Sequence, residues 1–349
     1  MKKKIVTLFL AGLLGIVGLT GCGSDKGTAD TATSNKENTS EAVTTDNSST
    51  GDKEEGAVLR IGAQPYPLYS SVYVAYELGY LKEEFDAIGA SYEWNEFDSG
   101  PLVNEAVAAG EADMGFMADL PAIISKSTGQ NIEVVSNVAY GEKGLAVLVG
   151  ADSKIKSVAD LKGKKVAYAT GSYAQHLLAL LLDKEGLKLD DVQSVNLGAA
   201  DQPGALANGE VDAIVIWEQY ISQLTSDGTA KVLADGTGIK KGNMITYFVT
   251  GYAKEHPLVV QAYIKALNRA DDLIKSNPEK AAEAIAKDFG VDKDLMLKIL
   301  ANFTYTTELT GDDIAEIEKV KNFSLDAGII EQDFDINEFI NTEYLDAVK

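Results

Sequence analysis

A phrase that the chain writes twice limits what it can fold into. GEADMGFM begins at Gly110 and GEVDAIVI at Gly209, and the lead-ins EAVAAGEAD and GALANGEVD match as well. In both copies a helix-forming segment runs into glycine and an acid, and then into an apolar, strand-like run. Glycine has no Cβ to clash in the left-handed conformation that ends a helix. Each copy therefore predicts a helix, a tight turn and a buried central strand. The acids of the phrase, Asp113 and Asp212 among them, read as solvated turn residues, with a chemical role only if they prove buried and paired.

The phrase falls at the same place in two series of alternating short apolar strands and amphipathic helices, the pattern of mostly parallel sheets covered by helices. The first series runs from strand LRIGA at Leu59 through a helix near Ser70 to Leu78. It continues with strand SYEWNEF, helix PLVNEAVAA, strand ADMGFM, a helix from Pro121 and strand IEVVSNVA. The second follows LAVLVG with strand KKVAYA, helix YAQHLLALLLDKEG, strand VQSVNL, helix QPGALAN, strand VDAIVIW, helix YISQLTS and strand AKVLA. Two α/β lobes are expected, the first from 58–147 and the second from 148–244, with 245–349 returning to complete lobe one. Apolar positions step by three and four from Pro257 to Asn277. Asn277-Pro278 ends that helix and opens another, and helices near Asp292 to Asn302 and Thr310 to Ala327 follow. Two crossings of extended chain, near Leu145 to Gly150 and Met244 to Tyr252, predict a hinge on which lobes close.

Ahead of this lies a different kind of sequence. Lys2, Lys3 and Lys4 precede an apolar run from Ile5 to Leu19, a signal peptide (1–21) too short to span a bilayer comfortably. Leu19-Thr20-Gly21-Cys22 resembles the bacterial lipobox, which implies that Cys22, the single cysteine of the chain, carries a diacylglycerol and becomes the new N-terminus. The segment 22–57 is almost free of apolar residues, so it cannot offset its ordering entropy by burial and reads as a flexible tether. Together these predict an exported protein, lipid-anchored to the outer face of a bacterial cell membrane. The chain has 31 Lys and Arg against 53 Asp and Glu, a net charge of −22. That is a poor surface for nucleic acid or anionic lipid and suits solubility.

In open α/β sheets, ligands bind beyond the carboxyl ends of the strands, where helix N-termini point. Facing lobes make a cleft there. The expected contacts are Gln64 and Tyr66 after the first strand, Asp119 after the echoed strand of lobe one, Ser172 and Tyr173 at a helix start in lobe two, and Trp217 with Glu218 after the second echo. Among the strand-end loops Lys143 is the only basic residue, so an anionic headgroup would rest on backbone N–H groups and hydroxyls at helix starts. Ser172 is equally an ordinary N-cap. The same loops are rich in tyrosine, with Tyr69, Tyr140 and Tyr220 beside those named. Such rings suit stacking on a flat ligand or surrounding an amine, with Asp119 or Glu218 as countercharge, although several are expected to be packing. No phosphate-loop, dinucleotide, nucleophile-elbow or zinc-protease motif occurs. His176, on a helix, and His256, before Pro257, belong to no ligand-spaced metal cluster. No catalytic residue, metal or cofactor is expected.

The stretches VADLKGKKVAYATGS (Val158 to Ser172) and GEVDAIVIWEQY (Gly209 to Tyr220) are similar to the extracytoplasmic solute-binding proteins of ABC importers. The group is the one for aliphatic sulfonates, taurine and nitrate, which also includes thiamine-pyrimidine binders. The resemblance runs from about Leu59 to Tyr220, more loosely through the helical tail. It implies a type II periplasmic-binding-protein-like fold, two doubly wound sheets joined by a two-strand hinge with C-terminal helices packed on lobe one. Sulfonate binders of this group show an acid with Ala-Pro after the third strand and Trp-Asp-Pro-Tyr in lobe two. Here these read Asp119-Leu120-Pro121 and Trp217-Glu218-Gln219-Tyr220, with Leu120 and Gln219 departing. The implied function is capture of a small organic solute, sulfonate- or taurine-like, by a monomer that delivers it to a permease and its ATPase. The alternatives are a nitrogen heterocycle or amine as ligand, and a sensor lipoprotein that presents its ligand. The related pyrimidine synthases depend on a cysteine-rich stretch and histidines that this chain lacks, so no enzyme is expected.

Overall fold

A computed structural model describes residues 53–349. The signal segment, Cys22 and most of the tether lie outside the described residues. The first series folds as β1 (Val58–Ala63), α1 (Ser70–Glu77), α2 (Tyr80–Ile88), β2 (Ser91–Glu96), α3 (Gly100–Ala108), β3 (Met114–Ala118), α4 (Asp119–Ser127) and β4 (Ile132–Tyr140). The second gives β5 (Leu145–Gly150), β6 (Lys165–Tyr168), α5 (Tyr173–Lys184), β7 (Gln193–Asn196), α6 (Gln202–Ala207), β8 (Ala213–Trp217), α7 (Tyr220–Ser226) and β9 (Ala230–Asp235). Then follow β10 (Asn243–Val249), α8 (Thr250–Glu255), α9 (Pro257–Ser276), α10 (Pro278–Ile285), α11 (Lys293–Leu300), β11 (Thr304–Tyr305), α12 (Gly311–Asp326) and α13 (Glu343–Asp346).

Two sheets result, ordered β11-β4-β10-β3-β1-β2 and β7-β6-β8-β5-β9. Each holds a parallel trio, β2-β1-β3 in one and β7-β6-β8 in the other. The sheets are mixed rather than mostly parallel because of the strands that arrive from the other sheet. β5 enters the second sheet antiparallel to β8, and β10 enters the first antiparallel to β3. The echoed strands are thus the central ones, buried at every residue. Their apolar side chains each contribute about 1.5–3 kcal/mol by leaving water.

The echo has a local reason. Gly110 and Gly209 both sit at positive φ, 72° and 70°. The next residue closes the turn in the same way, Glu111 N–H to Ala106 O at 2.8 Å and Glu210 N–H to Ala205 O at 2.9 Å. The following aspartate then clips the strand to its parallel neighbour. Asp113 N–H donates to Arg60 O at 2.9 Å, and its carboxylate accepts Arg60 N–H at 3.0 Å. Asp212 does the same with Lys165, at 2.9 Å in both directions. Asp212 is exposed, as expected, but Asp113 is buried and its carboxylate also accepts from Arg60 Nε at 2.8 Å. It is a structural ion pair rather than a solvated turn acid.

The crossings are the connections 141–144 and 236–242. They are bonded to each other through Gly236 N–H to Glu142 O at 3.0 Å, and a Cβ at Gly236 would stand 2.5 Å from that oxygen. The chain after β10 packs back on the first sheet: α9 covers α1 and α2, α12 packs on α4, and β11 extends the edge at β4. Helix α2 stands where no element is expected. Its Leu81 and Phe85 are buried one turn apart, while Arg269 of α9 donates to Glu83 at 2.5 Å and Glu84 at 2.8 Å. Among the described residues no helix is long and apolar enough to cross a membrane.

Candidate ligand cleft

The strand ends of both sheets meet in one cavity. It is lined by Gln64, Tyr66, Leu68, Tyr69, Gly100, Ala118 and Pro121 from the first lobe, and by Ser172, Tyr173 and Trp217 from the second. Five of the seven expected contacts are therefore brought together. Topology does this, since β1, β6 and β8 end there. The cavity measures about 20 Å³, room for about one water, so an organic ligand enters only when the lobes part.

Three helices begin at this cavity. α3 starts at Gly100, whose missing Cβ admits Pro121; a Cβ there would lie 2.8 Å from that ring. α4 starts at Asp119, and α5 at Tyr173 behind its N-cap Ser172. Ser172 Oγ accepts Ala174 N–H at 3.2 Å and donates to Ala169 O at 2.5 Å. Each helix start carries about half a positive charge, so their convergence favours an anion although no basic side chain lines the cavity.

The walls are aromatic. Trp217 meets Tyr66 edge-on across the cleft, ring centroids 5.3 Å apart. Tyr69 packs on Phe116 at 5.1 Å, and Tyr66 Oη donates to Asp98 O at 2.8 Å. Gln64 Nε2 donates to Phe116 O at 2.7 Å. Trp217 Nε1 is buried without a protein partner, a costly state for a donor that an oxygen of a bound ligand would relieve. Tyr140 and Tyr220 take no part in the lining. Tyr140 lies under Lys241 Nζ, 4.3 Å from its ring centre.

Asp119 and Glu218, equivalent positions after the two echoed strands, do not line the cavity. Asp119 is fully buried, and both its oxygens accept from Lys240 Nζ at 2.9 and 2.8 Å. Glu218 accepts Ser222 N–H at 3.0 Å, Ser222 Oγ at 2.9 Å and Asn302 Nδ2 at 3.1 Å. Burial pushes the Glu218 carboxyl up, against the bonds from Ser222 and Asn302. Neither carboxylate is left over to hold an ammonium.

Sequence reasoning missed Lys240. It sits in the connection 236–242, within GTGIKKGN, a stretch with no period and no motif. The nearby signal is Gly242, at φ 77°, where a Cβ would collide with the Tyr173 hydroxyl. His176 is buried on α5, and its Nδ1 lies 2.7 Å from Lys240 Nζ. Burial, and then the Lys240 charge, hold its pKa well below the ordinary 6.5, so the ring is neutral, and with Nδ1 unprotonated it accepts a hydrogen bond from the ammonium. Among the described residues no cluster of His, Cys, Asp and Glu could hold a metal ion.

Two α/β lobes, joined by two crossings with a cavity between their strand ends, define the periplasmic-binding-protein class of fold. Solved structures of that class superpose on the chain. The alkanesulfonate-binding protein SsuA of Xanthomonas axonopodis pv. citri, solved bound to MOPS, is 29% identical with a TM-score of 0.76 over 82% of this chain and 99% of its own. The periplasmic aliphatic sulphonate binding protein SsuA of Escherichia coli is 28% identical with a TM-score of 0.72, over 82% and 93%. A relative in Bacillus subtilis, provisionally named as aliphatic sulfonates-binding, is 30% identical over 86% of this chain and 90% of its own. The chain belongs to the NMT1/THI5-like family, whose model matches residues 67–281.

Proposed function

We propose that this protein captures a small organic sulfonate between its lobes and delivers it to an ABC permease and its ATPase, as a monomer tethered to the membrane through Cys22. The observation that carries the reading is the cavity itself: three helix starts meet there between aromatic walls, and one of its lining residues, Trp217, has a buried Nε1 without a protein partner. A sulfonate offers such donors three oxygens that share one negative charge, and the rings an apolar tail. The similar proteins whose names specify sulfonates support this choice of ligand. An amine or a cationic heterocycle fits less well, because Asp119 and Glu218 are already satisfied within the protein. The reading assigns no catalytic step. Contact with ligand falls to Gln64, Tyr66, Ser172, Tyr173 and Trp217, while Asp119 and Glu218 shape the wall behind them.

Calorimetric titration with an alkanesulfonate series tests this. Trp217→Ala is expected to weaken binding at least roughly tenfold, the equivalent of about 1.4 kcal/mol, while the protein still unfolds cooperatively. Unchanged affinity would remove Trp217 from the site. The tether has its own test: Cys22→Ala should move the protein from the membrane fraction to the soluble one, and a variant that still sediments with membranes contradicts lipid anchoring.

A further inference from the structure

Lys240 is 2% exposed, and the proposed function leaves it without a role. It stands behind the cavity wall rather than in it. Its ammonium is shared between both oxygens of Asp119 in the first lobe and Nδ1 of His176 in the second, and it lies 5.0 Å from the ring centre of Tyr173, which does line the cavity. Asp119 directly follows the lining residue Ala118 and stands two positions before the lining residue Pro121. Burial first, and then the Asp119 charge, push the hydroxyl of the lining residue Tyr173 up, so that charge is felt at the cavity. Left alone, that carboxylate would cancel the positive end of α4 and repel an anion at the site. The ammonium offsets it, and the neutral His176 adds no charge of its own.

We propose that Lys240 sets the charge preference of the cleft by neutralising Asp119, so that the start of α4 can face an anionic ligand. The inference rests on the sulfonate reading of the same site. Lys240 acts through Asp119 and does not touch the ligand, which makes it a specificity-determining residue of the positioning kind. Its position between the lobes also allows a simpler role, a latch that only holds the closed arrangement. The two roles differ in symmetry. A latch fails alike whichever partner is removed, whereas a charge offset responds with opposite sign.

Titration of the full-length protein with ethanesulfonate, in the wild type, Lys240→Met, Asp119→Asn and the double variant, separates them. The expected pattern is a loss of at least roughly tenfold in K240M, undiminished or tighter binding in D119N, and affinity within about threefold of wild type in the double variant. Should K240M not fold, the double variant decides, because it holds neither charge: near-native affinity supports the charge offset, and a tenfold loss supports the latch. K240M binding as well as wild type, or D119N losing as much as K240M, overturns the inference while leaving the sulfonate reading intact. A wild-type protein that binds no sulfonate overturns both.

Discussion

Asp271, on α9, is buried at 3% exposure with Ser71 Oγ donating to it. Burial pushes its carboxyl up from 3.8 to about 7, against the hydrogen bond from Ser71. The folded state therefore holds this proton more tightly than the unfolded chain does, and stability falls as pH rises from about 4 to about 7 and is level above. The cost of ionising it is on the order of 4 kcal/mol. Asp271→Asn should thus gain on wild type as pH rises, seen as a melting-temperature difference that widens between pH 4.5 and pH 8. A constant difference would contradict the assignment. None of this was legible in the sequence, where nothing in the apolar stepping of α9 marks Asp271 as buried. The cleft residues were legible for a different reason: Gln64 and Ser172 follow apolar strands closely and Trp217 ends one, and a strand end fixes where the adjoining residues stand. Lys240 has no such anchor, because its burial depends on Asp119 and His176, distant in sequence and brought to it only by the closed fold.

At the scale of elements, the turn-and-strand unit repeats with one difference. Asp113 and Asp212 make the same clip, but only Asp113 is buried with a guanidinium. Asp113→Ala should cost about 2 kcal/mol, through lost bonds and an Arg60 left without its acceptor, and Asp212→Ala about 1 kcal/mol or less. Urea unfolding checks this, and equal costs would show that the arginine adds nothing. Periodicity marked α9 to within a residue, because it sets an apolar stripe against a layer below. It did not mark α2, whose sequence YLKEEFDAI carries only Leu81 and Phe85 as fully buried anchors and otherwise reads as charged surface. The direction of β5 and β10 was equally out of reach. A strand's apolar pattern is the same whether its neighbours run with it or against it.

Across the whole molecule, contacts between the lobes hold the arrangement closed around a cavity of about 20 Å³. Tyr66 meets Trp217, Asn302 reaches Glu218, and Lys240 joins Asp119 to His176. A ligand larger than that cavity must enter an open form and can favour closure only by binding the closed form more tightly. Small-angle scattering should accordingly show a smaller radius of gyration with a bound sulfonate than for a ligand-free population that includes open molecules; an unchanged radius would argue against lobe motion. The central claim is that the closed cleft takes an organic sulfonate. Thermal unfolding of the purified protein against alkanesulfonates, taurine, nitrate and thiamine-related pyrimidines tests it most directly. An alkanesulfonate at 100 times its dissociation constant should add about 2.7 kcal/mol and raise the melting temperature clearly. Stabilisation by the heterocycles alone, with every sulfonate silent, would contradict the account.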